Sequence, residues 1–217
     1  MNKNHLWILL PLGLIGVFSI TLLAANALPP KPVDKTAKKA EDLPPLSAPQ
    51  VTIADPARGA ATAKLLIVEF GDFGCSHCKE AENVLKEFLL AHPGEVRIVW
   101  KDFPIEQMNP GSREASEAAR CAGRAGKFWE YHDALMNAPN LPREAELSGI
   151  ADALGLNGQN FLACLGGDFT APLIDRTFEE GLRLRINGVP YFFLNGQRFS
   201  GVINREALQA ALSEALK

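Results

Sequence analysis

The sequence predicts an α/β domain in the order βαβ, helical block, ββα, preceded by one long apolar amino-terminal helix. Three observations carry this prediction. A strand-like apolar run is followed by a segment of helical period and a second strand-like run. The stretch 112–187 reads mostly as helix. Two late strand-like runs flank an Asn-Gly turn. Strand, helix, strand in that order implies parallel pairing of the two strands. The 217 residues are 47% hydrophobic and 22% charged, ordinary values for a globular chain. The net charge of −3 gives no basic footprint for nucleic acid.

The first element is the amino-terminal segment, residues 1–27. No charged side chain occurs between Leu6 and Pro30, and Leu6–Ala25 is almost continuously apolar. Twenty such residues in a helix span roughly 30 Å, the thickness of a bilayer's hydrocarbon core. Lys3, the apolar run and Ala25-Asn26-Ala27 fit a cleavable signal peptide. The length of the run favours an uncleaved signal-anchor, a transmembrane helix that holds the body outside the cytoplasm. Residues 28–50 contain Pro29, Pro30, Pro32, Pro44, Pro45 and Pro49 with almost no large apolar side chain. That composition reads as a semi-extended tether. It leaves 51–217 as one domain.

Within 51–217, Lys64–Phe70 reads as a buried strand ending at Gly71. Ala81, Val84, Leu85, Phe88 and Leu89 then recur on one helical face, closed by Pro93-Gly94, and Val96–Trp100 is a second strand. Ala115, Ala118, Ala119 and Ala122 give the helical block a small-residue face. Thr170, with Pro172 just inside, predicts a capped helix running toward Asn187. Val189–Leu194 and Gln197–Phe199 flank Asn195-Gly196, a strong hairpin signal. An amphipathic helix from about Asn204 closes the chain.

The chemistry lies in Cys75-Ser76-His77-Cys78, a C-x-x-C placed after a strand and at the first turn of a helix. Helix amino-terminal N–H groups and the macrodipole favour a thiolate at Cys75. His77 can add a positive charge or a hydrogen bond. Cys78, one turn further in, is the resolving thiol. A bridge closing so short a loop removes little chain entropy, so it is a poor staple. A closed zinc site needs four ligands, and neither a second C-x-x-C nor an H-x₃₋₅-H is present. No metal or other cofactor is expected. His92 and His132 read as surface or helix-face histidines; Phe73, Phe128 and Trp129 read as core.

Three segments in order, VEFGDFGCSHC, RCAGRAGKFWEYHDAL and GVPYFFLNGQRFSG, resemble the DsbA-like thiol–disulfide oxidoreductases of the thioredoxin superfamily. The resemblance covers nearly all of 51–217. It implies the thioredoxin fold with a helical insertion at about 112–187. It makes Cys75 the exposed nucleophile of a redox-active disulfide with Cys78, and Pro190 a cis-proline facing that disulfide. The backbone of Val189 is then free to pair with an extended substrate. Glu69 becomes the buried acid below the site, a proton relay for Cys78; a solvated strand-end carboxylate is the other reading of that residue. Ser76 stands where the oxidase subgroup most often has proline.

Cys121 and Cys164 form the second pair. Two buried free thiols are one reading. An extracytoplasmic compartment favours a structural disulfide between them, and some DsbA-like relatives carry such a bridge. The expected activity is thiol–disulfide exchange with secreted or membrane proteins, reduced or misoxidised, as an oxidase tethered to the cytoplasmic membrane on its periplasmic side. A membrane redox partner would reset the cysteines. The alternatives are a reductase or isomerase kept reduced by a membrane electron donor, with a copper or haem-maturation role as a narrower version, and a non-catalytic chaperone or binding module.

Overall fold

A computed structural model describes residues 43–217. The predicted membrane helix and residues 28–42 of the predicted tether lie outside them. Among the described residues no helix is long and apolar enough to cross a membrane.

The elements are β1 (Ala57–Gly59), β2 (Leu65–Gly71), α1 (Ser76–Ala91), β3 (Val96–Asp102), α2 (Ser112–Arg124), α3 (Phe128–Asn137), α4 (Glu144–Ala153), α5 (Gly158–Leu165), α6 (Ala171–Arg183), β4 (Tyr191–Leu194), β5 (Gln197–Ser200) and α7 (Arg205–Ala215). They build one sheet in the order β1-β3-β2-β4-β5. The β2–β3 pair is parallel, with Leu65 opposite Val96 and Gly71 opposite Asp102, as the βαβ order requires. The other pairings are antiparallel. This is the predicted α/β architecture with its helical insertion.

Alternation along the strands sends side chains to opposite faces of the sheet. Leu65 and Ile67 pack with Ile98, Phe192, Leu85 and Phe88 under α1 and α7. Val68 and Phe70 pack with Val99, Phe103 and Phe193 on the other face, beside Leu184 at the end of α6. Glu69 shares the parity of Leu65 and Ile67 and so points to the α1 side. The alanine face of α2 packs with Phe73, Trp100, Phe128 and Tyr131 in a third cluster. Cys121 and Cys164 are joined in that cluster by a disulfide (S–S 2.01 Å) that ties α2 to α5.

Asn195 and Gly196 both have positive φ (46° and 87°), the geometry of a two-residue hairpin that follows strand twist. The Asn195 side chain accepts from Leu66 N (2.8 Å) and donates to Lys64 O (2.9 Å), fixing β4 against β2.

The structure differs from the expectations in several places. β1 carries no sequence signal; three residues form it only by pairing across β3. β4 begins at Tyr191 rather than Val189, because Pro190 offers no N–H to a ladder and its peptide bond with Val189 is cis. Thr170 sits at the amino-terminal position of α6 but makes no capping hydrogen bond, since its backbone is already helical (φ −85°, ψ −35°) where a capping residue is extended. That helix stops at Arg183 rather than running toward Asn187. Pro44–Gln50, read as the end of a tether, lie against the body: Leu46 N donates to Arg183 O (3.0 Å) and Arg183 Nε donates to Pro44 O (3.1 Å). The unpaired carbonyls at a helix's carboxy end give such a segment its acceptors. Finally, His132 is fully buried, ringed by Phe73, Trp100, Phe128 and Trp129 rather than at the surface.

Beneath α6, Lys101 of β3 is wholly buried with Nζ 3.0 Å from Asp55, 2.8 Å from Glu180 and 2.6 Å from Gln50 O.

Candidate active site

Cys75 is the amino-terminal cap of α1, in extended backbone (φ −82°, ψ 118°). Its Sγ occupies the place of a capping oxygen and accepts the Cys78 N–H at 3.3 Å. A sulfur so placed collects the unpaired N–H groups of the first turn and the positive end of the helix dipole. The thiol of Cys78 and the backbone N–H groups of Cys78 and His77 favour the thiolate; partial burial and the charge of Asp72 oppose it. The balance holds Cys75 at about 7. Cys78 is completely buried, and that burial, its hydrogen bond to Cys75 and the charge of Glu69 push its thiol well above the ordinary range. Both cysteines are free thiols in this structure. One half-buried acidic sulfur therefore sits over a buried, reluctant one.

The remaining predicted residues fall around this pair. Pro190 is buried and follows a cis peptide bond, and the Val189 carbonyl lies 3.6 Å from Cys75 Sγ. His77 is exposed; the described hydrogen bonds include none from its ring, and it acts on Cys75 through its backbone N–H. Glu69 is buried at 1% exposure, not a solvated strand-end carboxylate. Burial and the neighbouring Glu82 push its carboxyl well above the usual range, against the pull of Arg58.

Five residues whose place here sequence reasoning misses complete the surroundings. Asp72 is wholly buried and holds the loop before Cys75: its carboxylate accepts from Gly74 N (2.7 Å), Ile105 N (2.7 Å) and Asn109 Nδ2 (3.1 Å). Asp-Phe-Gly is itself a turn signature, because an aspartate side chain readily accepts from the N–H two residues on; it is the one signal that points to any of the five. Arg58 of β1 pairs with Glu82 and, at 3.2 Å, with Asp133, its guanidinium 4.2 Å above the Trp129 ring. His132 Nδ1 lies 3.1 Å from Asp133. Ligand atoms of Glu82, His132 and Asp133 lie within 4.8 Å of one another. Arg58 is already the counter-cation of both carboxylates there, which leaves a metal ion little to neutralise.

A family model described as Thioredoxin matches residues 51–214. The chain belongs to the thioredoxin family. Among solved structures it resembles a thioredoxin-like oxidoreductase from Silicibacter pomeroyi (27% identity, TM-score 0.70, covering 76% of this chain and 94% of that one). It also shares its fold with the thiol-disulfide exchange protein α-DsbA2 from Wolbachia pipientis (20% identity, TM-score 0.68, covering 75% and 87%). The thioredoxin superfamily implied by the three motifs is thereby borne out in family, and the DsbA-like resemblance in fold. A curated relative, the Na(+)/H(+) antiporter NhaA 1 of Salinispora arenicola, is 37% identical over 161 residues, which are 74% of this chain and 24% of that protein. This chain spans about a quarter of the length of the curated relatives it matches. Antiporter is the name of the whole relative, and the likeness covers only that portion.

Proposed function

We propose that this thioredoxin-family protein is a thiol–disulfide oxidoreductase acting on cysteines of other proteins through Cys75 and Cys78. The observation that carries the reading is the unequal acidity of the two sulfurs across one helical turn: Cys75 at about 7, Cys78 far above its ordinary range. In the oxidising direction a client thiolate attacks Cys75 Sγ of the Cys75–Cys78 disulfide. The client–Cys75 bond forms, the Cys75–Cys78 bond breaks, and Cys78 leaves with the electron pair and takes up a proton. A second client thiolate then attacks the client sulfur of the mixed disulfide and expels Cys75 as a thiolate. Two electrons pass from client to protein. An acidic Cys75 is the better leaving group in the second step. Val189, with its carbonyl beside Cys75, is the group we assign to pairing with an extended client.

The oxidase direction rests on the DsbA-like motifs. The reductase direction, reset by an electron donor, draws support from the same sulfur: a Cys75 near 7 stabilises the dithiol only modestly, whereas a strong oxidant needs a much more acidic thiol. Equilibration with glutathione buffers separates the two, an oxidase remaining dithiol at potentials where a reductase is already disulfide. The buried Cys121–Cys164 bridge supports an extracytoplasmic site of action. Anchoring by residues 1–27 and a membrane redox partner belong to the same proposal.

The test of exchange itself is a pair of variants. Cys75→Ser abolishes transfer to a reduced client, and Cys78→Ser accumulates client mixed disulfides on non-reducing gels. A Cys75→Ser protein that still turns over removes the mechanism.

A further inference from the structure

Asp72 is the buried carboxylate nearest in sequence to the reactive sulfur, and its partners are unusual for a buried charge. Oδ1 accepts from Gly74 N, Oδ2 accepts from Ile105 N and Asn109 Nδ2, and the backbone oxygen accepts from Cys75 N at 3.1 Å. All three side-chain partners are donors, the pattern of a carboxylate. Among the described residues no Lys, Arg or His forms an ion pair with it, so its charge is met by N–H dipoles alone. A buried charge without a counter-ion is costly to keep. A clamp made only for structure could use a neutral side chain.

The clamp joins two loops. Asn109 belongs to the connection between β3 and α2, and a Cβ placed on Gly74 would meet Asn109 Cβ at 2.6 Å, so this connection packs directly on the residue before Cys75. Both sides of the loop that delivers Cys75 to the helix terminus are therefore held by one side chain.

We propose that Asp72 is a positioning residue of the exchange site, clamping the loop that carries Cys75 and setting a negative charge against its thiolate. The proposal rests on exchange at Cys75. The groups that act on this sulfur are Cys78 and His77 from α1, Glu69 from β2, the Val189 carbonyl from the proline loop, and Asp72. Helix dipole and N–H groups draw negative charge to Cys75 while Asp72 repels it, so the carboxylate limits how far the dithiol is favoured and hence how strongly the disulfide oxidises.

The test titrates Cys75 in the 217-residue chain by thiolate ultraviolet absorbance and equilibrates it with glutathione. Asp72→Asn removes the charge. Its Cys75 midpoint falls by roughly half a pH unit or more, and at about pH 8 the equilibrium moves about threefold toward the dithiol. Asp72→Ser moves the midpoint in the same direction. Asn109→Ala loosens the same loop but strips one donor from the carboxylate, so its midpoint rises by roughly a few tenths of a pH unit. Opposite signs from two loop-loosening changes are what a purely structural clamp does not produce. If the neutral variants leave the midpoint in place or raise it, or if all three variants shift it alike, the inference about Asp72 is overturned. Should neither neutral variant fold, the direction of Asn109→Ala decides. If Cys75 of the unsubstituted chain titrates like a free thiol and does not exchange with glutathione, it is the exchange reading that fails.

Discussion

Glu69 and Lys101 sit on neighbouring strands of one sheet, both shut away from solvent, and they are treated differently. Lys101 has three ammonium hydrogens and three acceptors: Asp55, Glu180 and the Gln50 carbonyl. Asp55 is in turn held by Arg176 at 2.6 Å and by Thr52. On the α1 face, neither oxygen of Glu69 has a protein hydrogen-bond partner among the described residues. The cation whose charge acts on it, Arg58, is committed to Glu82 and Asp133. The difference separates two uses of buried charge. A saturated cluster fixes structure, whereas an unsaturated one leaves a group free to change its protonation. The unsaturated cluster is the one beneath Cys78.

The strongest way to break this comparison is Lys101→Met. It leaves the buried Glu180 carboxylate without its cation and Asp55 with Arg176 alone, and removing one partner of a buried ion pair typically costs about 3–5 kcal/mol. Urea unfolding should show that loss at neutral pH, with the exchange rate of the remaining folded protein unchanged. A loss below about 1 kcal/mol would mean that the cluster is not structural.

Next in size is the covalent tie on the insertion. Replacing Cys121 and Cys164 together by alanine opens a loop with a sequence separation of 43. The chain-entropy model puts the cost at up to about 4 kcal/mol. The pair lies in the last turns of α2 and α5 beside Phe161 and Ala122, and neither sulfur is among the groups that act on Cys75. The double variant should therefore lose stability while its Cys75 midpoint stays near its original value. A shift in that midpoint would show that the insertion tunes the exchange site as well as bracing it.

How much of this is legible in the sequence follows from how local each feature is. The α1 face, the Asn195-Gly196 turn and the C-x-x-C at a helix start are written within a few residues, and each appears where its pattern places it. Arg58 is the opposite case. It lies on a three-residue strand, reaches Glu82 and Asp133 only through tertiary packing, and carries no periodic signal. His132 reads as a surface or helix-face residue, and nothing in its neighbours along the chain reveals that Trp100 and Phe73, from other segments, close over it. Pro44–Gln50 have the composition of a linker, and composition does not disclose that Arg183 and Lys101 supply partners for their backbone. Asp72 lies between these extremes, its turn motif visible but its contacts with Ile105 and Asn109 not.

The smallest effect is the sharpest, because the two clusters should answer pH with opposite sign. Burial pushes the Asp55 carboxyl up, but Lys101's charge and hydrogen bond, with the donors of Thr52, outweigh it and hold it below its ordinary value. Its contribution to stability is therefore present above the unfolded value of about 4 and lost as pH falls through the lower folded value. Glu69 binds its proton more tightly folded than unfolded. Its contribution is complete below about 4.3 and is lost as pH rises toward its raised folded value. Glu69→Gln carries no such proton. The variant should match the unsubstituted chain in acid and exceed it in stability by about 1 kcal/mol or more at higher pH, since each tenfold difference in proton affinity between the folded and unfolded chain is worth about 1.4 kcal/mol. Asp55→Asn should do the reverse, falling short at neutral pH and converging on the unsubstituted chain in acid. Unfolding curves for both variants across this range decide the matter. If the Glu69→Gln gap does not widen with pH, the carboxyl beneath Cys78 is not held in the protonated state that burial demands.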